Sequence, residues 1–107
     1  KNILSFSYPI IMESNVSCSM LGYLYDIYLP EQFFDSSLLD FFMNYYQNVP
    51  SIGASIEVNG FVYKVIRMKK NKVSHFSIYP VDFTKNRNQN NEIKKTKKIK
   101  LNKIKQK

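Results

Sequence analysis

Between Pro50 and Pro80, apolar and polar residues follow the two-residue period of half-buried strands. Two apolar runs, residues 56–58 and 61–68, flank the dipeptide Asn59-Gly60. A type I′ turn needs positive φ at both central residues, which Asn and Gly tolerate best, so this pattern predicts a tight hairpin. A polar stretch, Lys69-Lys70-Asn71-Lys72, then leads into a third run, residues 73–79. The expected meander has strands over 54–58, 61–68 and 73–79. Two-residue turn geometry pairs Val58 with Phe61 and Ile56 with Tyr63, and gathers these four with Val65 on one face. Val62, Lys64, Ile66 and Met68 fall on the other face. In the third run Phe76 and Ile78 share one face, and Val73, His75, Ser77 and Tyr79 share the opposite one.

Upstream, residues 35–48 read DSSLLDFFMNYYQN and carry a helical period, with a helix expected over 36–48. Ser37 followed by Asp40 is a variant capping box, and the acidic side chains of Asp35 and Asp40 suit a helix N-terminus. Asp40, Asn44, Gln47 and Asn48 form a polar stripe. Leu38, Leu39, Phe42, Met43, Tyr45, Tyr46 and Val49 cover the rest, and Pro50 fixes the end. Residues 20–29, MLGYLYDIYL, are dominated by β-formers and stop at Pro30, which predicts a strand. Residues 1–19 hold an apolar stretch interrupted by Pro9 and read as an N-terminal arm or edge strand. A lipoprotein-type leader ending at Cys18 is opposed by Glu13 and Asn15, which stand where small or apolar residues are wanted.

These elements describe an α+β domain over 20–83, with one helix on a small antiparallel sheet or a partly open SH3-like barrel. The string Pro50-Ser51-Ile52-Gly53 before a strand, Asn-Gly and a second strand is the opening of many small barrels. Residues 84–107 have no aromatic residue and no Gly or Pro; they read as a Lys/Asn-rich basic tail, disordered without a partner.

Charge sharpens that division. The net charge is +8, yet residues 1–83 hold six Lys or Arg against seven Asp or Glu, while the tail holds ten against one. The chain's single cysteine, Cys18, excludes an intrachain disulfide and points to a reducing, cytoplasmic setting. No apolar run reaches the roughly 18 residues that a membrane span needs.

Catalysis and metal binding find little to work with. Cys18 and His75 are the only thiol and imidazole, and a zinc site wants about four such ligands. Cys18 reads as a buried, inert thiol and His75 as an exposed strand residue. The carboxylates are scattered, and the three glycines form no phosphate-cradling loop. The expectation is a protein that is no enzyme and has no cofactor. Two basic features suggest binding instead. In the tail, Lys94, Lys95, Lys97, Lys98, Lys100 and Lys103 could contact phosphates without sequence selectivity. At the second turn, Arg67, Lys69, Lys70 and Lys72 lie beside Tyr63, Phe76 and Tyr79, the raw material of a single-strand stacking platform. The first expected function is therefore a small module binding nucleic acid or another polyanion through its tail. The second is a structural or assembly component, virion-type or multi-subunit, whose arm and tail contact protein partners or further copies.

Overall fold

The computed structural model describes residues 7–83. The expected basic tail, 84–107, lies outside the described residues. Four strands form one antiparallel sheet: β1 (Ile10–Glu13), β2 (Ser55–Val58), β3 (Phe61–Lys69) and β4 (Lys72–Pro80), in spatial order β1-β4-β3-β2. Between β1 and β2 come α1 (Ser19–Tyr25), a single 3-10 turn (Glu31–Phe33) and α2 (Leu38–Tyr45). The α+β class and the three-stranded meander are as the sequence predicts.

Both hairpins turn on two residues. Asn59 and Gly60 have φ of 51° and 85°, as the type I′ turn requires, and Val58 pairs with Phe61 and Ile56 with Tyr63. The second hairpin turns on Lys70 and Asn71, with φ of 49° and 66°, so Lys69 stands directly opposite Lys72. On the other flank β1 pairs with β4, setting Ile10 against Ile78 and Glu13 against His75. Part of the N-terminal arm is thus an edge strand of the sheet.

Four expectations are corrected. Residues 20–29 are no strand: α1 occupies the first part, and Asp26, at φ 62°, ends it. The amides of Asp26 and Ile27 donate to the carbonyls of Gly22 and Leu21, an αL cap that Asp tolerates well. Local β-propensity gave way because Leu21, Ile27 and Leu29 reach the core from this helix and its exit, while Tyr23 stays 82% exposed. The SH3-like barrel is replaced by an open sheet. β1 and β2 are its two edges, and a layer of helices, rather than closure, covers the apolar face. The helix expected over 36–48 ends at Tyr45; Tyr46 is extended, and Val49 is 89% exposed instead of packed.

The fourth correction concerns facing. Tyr63, Val65, Phe76 and Ile78 are fully buried on the predicted face, but Val73 joins them although its parity assigns it to the other. The cause is an irregularity in the β3–β4 ladder. Pairing runs Val65 with Phe76, Arg67 with His75, then Met68 with Val73, so Ile66 and Ser74 fall out of step. Facing inverts past that point, and Val73 and Met68 turn toward the core.

One core results, centred on Phe41, Phe42, Tyr63 and Phe76, each with no exposed surface. Phe41 meets Tyr63 edge-on, with ring centroids 5.2 Å apart, and Phe42 meets Phe76 at 5.0 Å. α2 is anchored at its start by Ser37, whose hydroxyl accepts the Asp40 amide at 3.0 Å. The amides of Leu38 and Leu39, which have no intrahelical acceptor, donate to the carbonyls of Val16 and Ser14 at 2.8 and 2.9 Å. The loop after β1 is thereby tied to the helix. Phe42→Ala should lower unfolding free energy by roughly 3–5 kcal/mol, as for a fully buried aromatic, whereas Asn44→Ala on the exposed side should change it little. Chemical denaturation of both variants checks this; equal sensitivity would mean that α2 faces the sheet differently.

Candidate functional site

Because β1 pairs with β4, the turn that follows β1 comes to rest beside the β3–β4 hairpin. The amide of Val16 donates to the Glu13 carbonyl, closing that turn, and the amide of Ser14 donates to the Ser74 carbonyl at 2.9 Å. A polar surface groove of about 360 Å³ lies between the two turns. Glu13, Ser14 and Asn15 line one wall and Lys69 and Lys72 the other; Val73, Ser74 and His75 run along β4 between them. The ladder irregularity lies at this end of the sheet. Ser74, the residue out of step, donates its hydroxyl to the Arg67 carbonyl at 3.3 Å and lies 2.9 Å from His75 Nδ1.

The basic residues singled out at this turn are divided by the fold. Lys69 and Lys72 face the groove, whereas Arg67 and Lys70 are exposed and do not line it. The stacking platform is not formed. Tyr63 and Phe76 have no exposed surface, and Tyr79 is half-buried, its ring 5.7 Å from that of Phe83. The aromatic residues build the interior. Lys94, Lys95, Lys97, Lys98, Lys100 and Lys103 lie outside the described residues. Glu13, Ser14 and Asn15 were not singled out from sequence as binding residues. They reach the lysines only through the β1–β4 pairing, for which no local signal exists.

The thiol lies elsewhere. Cys18 is 2% exposed and its Sγ is 3.6 Å from the Ser37 carbonyl. The imidazole of His75 engages Ser74, so thiol and imidazole have separate partners. A small apolar recess of about 80 Å³ adjoins Cys18, bounded by Ile27, Leu29 and the ring of Tyr28. That ring lies so close over Gly22 that a Cβ there would come within 2.6 Å of it. Burial, then the Asp40 carboxylate, pushes the Cys18 thiol up to about 11. Burial also raises the Tyr63 phenol above its usual range, with Cys18 adding to the effect; the Tyr63 hydroxyl is buried without a hydrogen-bond partner. Among the described residues no group of three or more His, Cys, Asp or Glu is placed to hold a metal ion.

A folded-state pKa above the unfolded one stabilises below the unfolded value and loses that contribution as pH rises through the folded value. For Cys18 this window runs from 9.0 to about 11. Stability should therefore fall between those limits, and fall less steeply in Cys18→Ala. Urea unfolding across that range measures both slopes; identical slopes would remove Cys18 as a cause.

Residues 8–82, nearly the whole described fold, match the family model described as CorC_HlyC, transporter associated domain. No curated protein sequence matches the chain. Solved structures that share the fold include the following three. A conserved putative domain from Neisseria meningitidis MC58 is 14% identical at a TM-score of 0.58, covering 68% of this chain and 97% of that one. A CorC_HlyC domain from Haemophilus ducreyi is 8% identical at 0.55, covering 66% and 94%. A functionally unknown conserved protein from Haemophilus influenzae Rd KW20 is 12% identical at 0.53, covering 66% and 86%. The family match corrects the functional expectation: residues 8–82 match a transporter-associated domain, and nothing supports the expected nucleic-acid-binding tail or a virion-type assembly role. The chain belongs to the CorC_HlyC transporter-associated domain family.

Proposed function

We propose that the chain is a non-enzymatic protein-interaction module that works beside a membrane transport protein. The family match over residues 8–82 carries this reading, because domains of this family usually occur in membrane-transporter or CBS-domain proteins. No helix among the described residues is long and apolar enough to cross a membrane. On this reading the membrane-spanning part belongs to another stretch of polypeptide or to a partner. The site's chemistry agrees with binding rather than turnover. The Cys18 thiol is buried and is pushed up to about 11 by burial and the Asp40 carboxylate, and its imidazole counterpart His75 is engaged with Ser74, which does not suit an activated nucleophile. The reading puts the domain on the cytoplasmic side, where an unpaired, buried Cys18 is the ordinary state of a thiol.

Chemical cross-linking of the tagged chain in intact host cells tests the proposal. Cross-links from residues 8–82 should lead to an integral-membrane transport protein, on the same polypeptide or a separate one. Cross-links confined to soluble proteins unconnected with transport would overturn the reading.

A further inference from the structure

We propose that the groove between the turn 13–16 and the β3–β4 hairpin docks a short acidic segment of a protein partner, with Lys69 and Lys72 holding its carboxylates. This rests on the reading of the domain as a protein-interaction module and names the chemistry of what it binds.

Three departures from the least costly local structure lie in or next to this groove. The first is the turn. The chain makes its other two-residue turn from Asn59-Gly60, yet here it places Lys70 at φ 49°, a conformation uncommon for a long side chain. The second is charge. Lys69 and Lys72 stand directly opposite each other across the hairpin, an arrangement that destabilises a strand pair. Neither lysine makes an ion pair among the described residues. The third is the ladder irregularity at Ile66 and Ser74, a feature concentrated beside binding sites in sheets. Departures of this kind gather where function requires them. An anionic side chain between Lys69 and Lys72 would relieve their repulsion.

Shape and polarity narrow the occupant. At about 360 Å³ the groove lies near the lower end of the roughly 300–1,000 Å³ typical of ligand sites, enough for a few residues of extended chain. The Ser74 hydroxyl is engaged with Arg67 and His75 and serves to hold this end of the sheet in shape. Asn15, exposed on the opposite wall, can bond a peptide backbone through its side-chain amide. Glu13 on that same wall repels carboxylates, so the segment's acidic side chains turn toward the lysines.

The test titrates the isotope-labelled full chain with an octapeptide of alternating Glu and Ala, followed by two-dimensional NMR. Amide shifts should saturate at Ser14, Asn15, Lys69 and residues 72–75. Lys69→Glu with Lys72→Glu should weaken binding at those positions by more than about tenfold, a loss well outside measurement error. The milder pair Lys69→Gln with Lys72→Gln should weaken it in the same direction, and Lys64→Glu should leave it unchanged. A peptide with Gln in place of Glu should produce no shifts there. Undiminished binding by both lysine pairs, or shifts confined to 84–107, would overturn the proposal. So would inorganic phosphate or an oligonucleotide producing the same shifts at lower concentration. Absent groove shifts alongside cross-links to a transport protein would sink the groove alone. Groove shifts without such cross-links would sink the transporter reading and leave the peptide site standing.

Discussion

Phe41 and Phe42, neighbours on α2, set their rings against different strands of the central hairpin. Phe41 meets Tyr63 of β3 and Phe42 meets Phe76 of β4. Further rings brace each pair: Phe33 and Tyr45 lie 5.3 Å from Phe41, and Tyr46 stacks on Phe42 at 5.1 Å. Burying a large apolar side chain contributes about 1.5–3 kcal/mol, and well-placed aromatic pairs add to that. In a domain this small the seam is a large share of net stability. It also fixes the helix layer over β3 and β4, which is why the sheet can stay open at both edges.

The same seam shapes the surface. Once α2 is fixed, its unpaired N-terminal amides hold the carbonyls of Ser14 and Val16. Those bonds set the path of the chain leaving β1, and the Ser14 amide in turn grips the Ser74 carbonyl beside the hairpin. One wall of the groove is thus positioned by the helix and the other by the sheet.

What the sequence revealed was what local chemistry determines. Asn59-Gly60 specified its turn, the register followed, and Ser37 capped α2. Residues 20–29 misled because Tyr and Leu favour strands in isolation, whereas here tertiary burial of Leu21, Ile27 and Leu29 selects a helix and a capped exit. Val73 misled because parity holds only along an unbroken ladder, and nothing local marks Ile66 and Ser74 as out of step. The groove was half legible. Lys69 and Lys72 stood out by charge, but Glu13, Ser14 and Asn15 join them only through pairing between strands far apart in the chain. The reading of the basic tail as a nucleic-acid contact was overturned by the family match over residues 8–82, and the stacking platform fell because Tyr63 and Phe76 were needed inside.

The dependence of the fold on the aromatic seam is open to direct measurement by a double-mutant cycle on Phe42 and Phe76, each replaced by Leu to keep the site apolar. The two rings should show a coupling free energy of about 0.5–1.5 kcal/mol beyond their separate losses, as measured for aromatic pairs in contact. Additive losses, with no coupling, would contradict the account, because they would mean that α2 is held to the sheet by general burial and not by these paired rings.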